Sequence, residues 1–109
     1  MTGPMELLQG TVDVLTLRAL VIGPMHGYAV SRWIRDRTNG ELVVENAALY
    51  KALHRLELAG CISAQWGKSD ANRRARYYRL TAKGRKQLVA EESRLRKYAA
   101  AVFRVLAPT

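Results

Sequence analysis

Tyr50, Lys51 and His54 place a phenol, an amine and an imidazole within five residues of one another. In a helix these positions fall on one side, so the three groups would share a face, with Arg55 at its edge. Such side chains offer hydrogen bonds and positive charge to base edges and phosphates, so the chemistry they favour is contact with a polyanion. An ordinary solvated surface helix is the alternative, and these residues alone fit both interpretations.

A second group of basic residues lies between positions 68 and 79, where five Lys or Arg residues stand against one acid, Asp70. The stretch GKSDANRRA is polar and rich in turn-forming residues, so it predicts an exposed loop. A basic loop that projects from a fold is suited to phosphate contact, whereas the alternative is a solvated loop without a ligand. The residues here that we assign to phosphate contact are Lys68, Arg73, Arg74 and Arg76.

The first group requires a helix, and the stretch from Asn46 to Gly60 predicts one. Leucines recur at i, i+4 and i+7, which gives this helix an apolar side opposite the basic one. Asn46 suits the N-cap and Gly60 the left-handed position after the helix end. Asn46 and Arg55 also count among the residues expected to contact nucleic acid. The residues expected on the apolar side are Leu49, Ala52, Leu53, Leu56 and Leu58.

The second group requires a hairpin, and after Gly60 the period of the pattern changes from 3.6 to 2. Ile62, Ala64 and Trp66 alternate with polar residues, which predicts a strand with these three side chains inward. RYYRL at 76–80 predicts the second strand, with its tyrosine at 78 and its leucine inward. Cys61 is the single cysteine, so no internal disulfide can form, and we expect it to be a small buried residue.

Two helices are expected before these elements. Residues 6–22 are apolar nearly all round, so this helix must be covered on more than one side. Residues 26–37 predict a second helix with a buried face that includes Trp33, and with His26 at its start as a cap or packing residue. The arginines near its exposed side, which could reach phosphate, are Arg32, Arg35 and Arg37.

Thr81 is the expected N-cap of a long last helix, along which Leu88, Leu95 and Val102 are spaced seven apart. Such a heptad-like stripe exceeds what a small domain needs, so it predicts contact between the helices of two copies. Packing on the helix's own domain is the alternative. The residues that we assign to a dimer interface are Leu8, Val12, Leu15, Leu88, Leu95, Tyr98, Val102, Phe103 and Leu106.

The composition is strongly basic. The 109 residues include 18 Lys and Arg against 9 Asp and Glu, a net charge of +9 that points to DNA or RNA as the partner. Apolar runs fall short of the ~18 residues of a membrane span and a basic secretion signal is missing, so a cytoplasmic protein without membrane contact is expected. Paired carboxylates, a metal-ligand set and a phosphate-binding glycine loop are also missing, so we expect no enzyme, cofactor or metal.

The order of elements is helix, helix, helix, strand, basic loop, strand and long helix. This order predicts a mainly α fold with a small β-hairpin, a winged helix-turn-helix followed by a C-terminal dimerisation helix. In that geometry the third helix enters the major groove of DNA and the hairpin lies along the phosphates. We expect a DNA-binding domain over 6–80 and the dimerisation helix over 81–107.

Three blocks of sequence are similar to the PadR family of bacterial transcription regulators. They are HGY at 26–28, ALYKALHRLELAGCI at 48–62 and RYYRLTAKGRKQL at 76–88, and the resemblance covers about residues 6–106. The single C-terminal helix resembles the smaller subgroup of the family. Lys51 departs from the pattern, because the family usually has proline after its LY pair; the departure bears on operator preference and not on the fold.

The resemblance implies a homodimeric repressor that binds palindromic operators in double-stranded DNA. It also implies a small aromatic or drug-like effector between the subunits. The family's aromatic ligand platform is not carried over to this chain, because both tryptophans, Trp33 and Trp66, lie outside the long helix. Two other functions fit the charge or the apolar helices. A non-specific architectural nucleic-acid binder would show no preferred operator, and a protein-interaction module would form a complex with a different protein.

Overall fold

The structure is a computed structural model that describes residue 7 and residues 10–108. Within this part of the chain there are four helices and a three-stranded antiparallel sheet, which confirms the predicted mainly α fold with a small wing. The elements are α1 (Thr11–Ala19), β1 (Met25–His26), α2 (Gly27–Arg37), α3 (Asn46–Leu58), β2 (Ile62–Lys68), β3 (Arg74–Leu80) and α4 (Ala82–Leu106).

The hydrophobic core lies where α1, α2 and α3 meet the base of the β2–β3 hairpin. Leu17 of α1, Ile34 of α2 and Leu49 of α3 are fully buried there. Burying a side chain of this size stabilises the fold by about 1.5–3 kcal/mol, so the leucine side of α3 fixes which face remains outside. The prediction that Leu58 lies on the apolar side of α3 is wrong. Its side chain is 75% exposed, because it lies about 200° around the helix from Leu56.

The first helix is shorter than the sequence predicts. It spans Thr11–Ala19 rather than 6–22, and it begins after Gly10, whose φ of +84° is left-handed. Glycine adopts this conformation without steric cost, so the helix starts where the chain makes that turn. Val12 and Leu15 are half-buried on α1. Leu8, assigned above to the dimer interface, lies outside the described residues.

The sheet contains a strand that the sequence pattern did not indicate. β1 has only two residues, too few for a period to be visible, and it pairs with β3 through Met25↔Tyr78 and His26↔Tyr77. The strand order is β1-β3-β2. β2 and β3 pair from Ile62↔Leu80 at the base to Lys68↔Arg74 near the tip. The start of α2 is thereby attached to the wing.

The inner face of the wing changes from apolar near the base to cationic near the tip. We define this face by Ile62, Ala64, Trp66 and Lys68 of β2 with Leu80, Tyr78, Arg76 and Arg74 of β3. Near the base Ile62 and Tyr78 are buried, as predicted. Trp66 lies on the same face, but it is 56% exposed, so its predicted burial is wrong. The reason is length: the hairpin extends beyond the core, and its inner side there is bordered by open space rather than by apolar side chains.

The last helix packs on the winged domain through its first half, from Leu88 in the core to Leu95 and Tyr98 beside α1. The Thr81 hydroxyl caps it by accepting a hydrogen bond from the Gly84 N–H at 3.0 Å, as predicted. Leu88 is 6% exposed and belongs to the core of its own chain, so its assignment to a dimer surface is not supported. Cys61 is buried beside this helix start, in agreement with the expectation. None of the helices in residues 10–108 is long and apolar enough to cross a bilayer.

Candidate nucleic-acid interface

The outer side of α3 carries the first group of candidate residues. Tyr50, Lys51 and His54 are all exposed, opposite the buried leucines, as the helical spacing predicts. Asn46 is exposed too, but it is the first helical residue rather than the N-cap, so that prediction is wrong. The cap is Glu45, with extended backbone and no side-chain hydrogen bond to the helix. The helix start is therefore set by backbone geometry and by burial of the leucines, not by a side-chain cap.

A groove of about 670 Å³ lies between α3, the start of α2 and the inner face of the wing. It brings Tyr50 of the first group together with Arg73, Arg74 and Arg76 of the second, whereas the other members of the first group lie outside the lining. Lys51, His54 and Lys68 are exposed but lie outside the lining. The side chains that line the groove include Tyr28, Arg32, Tyr50, Trp66, Arg73 and Arg74.

Cations and aromatic rings stack on the inner face of the wing. The Arg74 guanidinium lies 4.3 Å from the centroid of the Trp66 ring, and the Arg76 guanidinium lies 5.9 Å from that of Tyr78. Stacking of this kind stabilises a cation by about 0.5–1 kcal/mol at exposed sites and orients its hydrogen-bond donors. The tip of the wing is closed by a backbone hydrogen bond of 2.8 Å from the Ser69 N–H to the Arg73 carbonyl.

Two of the predicted DNA-contact residues are held by carboxylates of the same chain. Arg76 of the wing donates to Glu57 Oε2 of α3 at 2.7 Å, and Arg55 of α3 pairs with Asp13 of α1. Their partners are 19 and 42 residues away in the chain, so no local pattern could have revealed them. Each exposed pair contributes about 0.2–1 kcal/mol, and together they hold α3 against both neighbours.

Three residues of the groove were missing from the predicted site. Tyr28 was given no role, and Trp66 was expected to point inward from its strand. Arg32 was named only as one of three arginines near the exposed side of α2. The structure places Arg32 in the groove and leaves Arg35 and Arg37 outside its lining. The strand register could have indicated Trp66. It lies opposite Arg76, in the part of the hairpin where β3 carries arginines rather than apolar residues.

Tyr78 lies at the floor of the groove, and burial raises the pKa of its phenol, an effect that the Arg76 cation partly opposes. The phenol therefore stays protonated at neutral pH and adds no negative charge. Four arginines and one acid, Asp70, line the groove, so its electrostatic potential is positive. A basic groove between a helix and a projecting hairpin can accept the phosphate backbone of a duplex while the helix meets its bases.

A sequence model of the transcriptional regulator PadR-like family matches residues 16–90, well over half of the chain. The chain belongs to this PadR-like family. All three blocks on which the resemblance was based lie inside the matched range, so that prediction is confirmed. As a PadR-like protein it is a DNA-binding regulator of transcription.

Similar proteins support the same assignment. An uncharacterised protein of Lysinibacillus sphaericus is 31% identical over 83 residues, which are 76% of this chain and 76% of that protein. A transcriptional regulator from Clostridium thermocellum has a similar structure, with a TM-score of 0.83, 29% identity, and 91% and 96% of the two chains covered. A PadR family transcriptional regulator from Eggerthella lenta gives a TM-score of 0.78 and 27% identity, with coverage of 93% and 86%.

Proposed function

We propose that this PadR-like regulator is a homodimeric repressor that binds a palindromic operator. The observation that carries the proposal is the shared groove, in which Tyr50 of α3 faces Arg73 and Arg74 of the wing. Two copies related by a two-fold axis would place their α3 helices in successive major grooves, about 34 Å apart.

The proposed contacts divide into two kinds. Asn46, Tyr50, Lys51 and His54 on the outer side of α3 would meet base edges and the nearest phosphates. On the wing, Lys68, Arg73 and Arg74 would neutralise phosphates, joined by Arg32 from α2. Phosphate contacts of this kind position a protein on DNA, whereas base contacts select the sequence. Arg55 and Arg76 would act chiefly through Asp13 and Glu57, by holding α3 and the wing in place.

The proposed dimer uses the part of α4 beyond Leu88. Tyr98 is 63% exposed, and Phe103 and Leu106 are similarly exposed, so this half of the helix presents a large apolar surface. Soluble chains rarely leave such a surface uncovered, which supports a second copy as its partner. Leu95 and Val102 lie on the same helix, and Val12 and Leu15 of α1 would add to the interface. The division into 6–80 and 81–107 belongs to this proposal, with the first half of α4 packed on the winged domain.

A small aromatic or drug-like effector is also part of the proposal. A groove of about 220 Å³ lies between α1 and α4, with Val14, Leu95 and Tyr98 in its lining. A flat apolar ligand held there between two subunits would alter the spacing of the two α3 helices and release the operator. Tyr98, which lines this groove, would supply an aromatic contact to the ligand.

Three measurements test the proposal. Footprinting on the gene's own upstream DNA should protect two half-sites, and the mass in solution should be that of two chains with and without DNA. Affinity should fall by about 10³-fold or more between 50 and 200 mM salt if six or more phosphates are contacted. Equal affinity for the upstream region and for random DNA would instead indicate a non-specific architectural binder. A single chain in solution would refute the homodimer.

A further inference from the structure

Gly27, the first residue of α2, lies directly against the ring of Tyr50 on α3. A Cβ atom added at Gly27 would lie 2.6 Å from Tyr50 Oη and 2.7 Å from its Cζ. Non-bonded atoms do not approach this closely, so any side chain at position 27 would displace the ring. The Tyr50 ring therefore fills space next to Gly27 that is available only because residue 27 has no side chain.

The backbone at position 27 gives no reason for glycine. Gly27 is not among the glycines with positive φ, and as the first residue of α2 it has a backbone conformation that alanine can adopt. It makes no turn that only glycine can make. The contact with Tyr50 is the feature of this position that an alanine would violate.

The position of Gly27 is fixed by two sets of contacts made by its neighbour His26. His26 Nδ1 accepts a hydrogen bond of 3.1 Å from the Ala29 N–H, which caps α2 immediately before Gly27. The His26 ring also meets the Tyr77 ring edge-on, with 5.3 Å between centroids, and the two residues pair in the sheet. Position 27 is thus held by the helix cap and by strand β3 of the wing at once.

We infer that Gly27 is a positioning residue for operator recognition, which sets the direction of the Tyr50 side chain relative to the wing. The inference rests on the proposed function, in which Tyr50 contacts DNA. Tyr50 is 49% exposed, so a methyl group at position 27 can push its ring into another rotamer without unfolding the core. The two sequence blocks HGY and ALYKAL meet at this contact, which gives the glycine of the first block a role in recognition.

The expected effect falls on specificity. Gly27→Ala should weaken binding to the operator about tenfold, because a displaced phenol loses its base contact. Affinity for random DNA of the same length should stay within about twofold, since the arginines of the wing are unchanged. The thermal midpoint should stay the same, because alanine can adopt the backbone conformation of position 27 and the displaced Tyr50 ring is half exposed.

The test is a double-mutant cycle with wild type, Gly27→Ala, Tyr50→Ala and the double variant, each measured on operator and random duplexes. In the Tyr50→Ala background, Gly27→Ala should change operator affinity by less than about twofold. Ser31→Ala, one turn further along α2, is the matched control and should bind as wild type does. NMR gives a reading without DNA: the Gly27 Hα signals should carry a ring-current shift from Tyr50 in wild type and lose that shift in Tyr50→Ala.

Equal losses from Gly27→Ala in both backgrounds would overturn the inference while leaving the proposed role of Tyr50 intact. If Tyr50→Ala binds the operator as wild type does, the proposed contact fails and the inference fails with it. A lowered thermal midpoint in Gly27→Ala, with equal losses on operator and random DNA, would show a merely structural role and would also overturn it.

Discussion

Removal of the two arginines at the tip of the wing should weaken DNA binding without changing which sequence is preferred. Arg73 and Arg74 are exposed, line the groove and have no carboxylate partner within the described part of the chain. In the proposed dimer, the variant Arg73→Ala/Arg74→Ala deletes four cations that would meet phosphates. Phosphate contacts are independent of sequence, so operator and random DNA should lose affinity alike.

The magnitude follows from counterion release. Each neutralised phosphate contributes about 0.9 to the slope of log affinity against log salt, so loss of four contacts should reduce the slope by about 3.6. At 0.1 M salt this change corresponds to a loss of affinity of up to about 4,000-fold. Fluorescence anisotropy with labelled operator and random duplexes, from about 50 to about 200 mM salt, measures both quantities.

The matched control removes the same charge elsewhere. Arg35→Ala/Arg37→Ala lowers the net charge equally, but on a part of α2 that lies outside the groove lining. Its salt slope should change by less than about one, because neither arginine lines the groove in which the phosphates are proposed to lie. A tip variant with the wild-type slope, or a loss confined to the operator, would refute the assignment of the wing to phosphate contact.

Three further predictions concern the fold and the dimer. Leu53→Ala removes a fully buried side chain of α3 and should lower the free energy of unfolding in urea by about 2–5 kcal/mol. Gly84→Ala should lower it by about 1–3 kcal/mol or more, because a Cβ there would overlap the Cys61 carbonyl oxygen, a backbone atom that cannot rotate away. Tyr98→Glu/Phe103→Glu should give single chains in sedimentation and lose operator affinity, with a circular dichroism spectrum like that of wild type; an intact dimer would contradict the proposed interface.

The sequence predicted the elements whose patterns are local. The leucines of α3 recur within a few turns and the hairpin residues alternate, so helix, wing and the exposed side of α3 could be recognised from spacing. Trp66 does lie on the inner face, but its expected burial was wrong, because alternation assigns a face and does not show how far a strand extends beyond the core. β1 and the carboxylate partners of Arg55 and Arg76 were missed because each depends on residues distant in the chain.

The distribution of partners along the wing explains how it can be both ordered and cationic. Near the core, Arg76 is held by Glu57, which fixes the wing against α3 and neutralises that guanidinium. Further out, Arg74 is stacked on Trp66 instead. An aromatic ring orients a guanidinium without cancelling its charge, whereas a carboxylate does both. The exposed Trp66 adds nothing to the core, but it orients Arg74 on a surface proposed to present positive charge to phosphate.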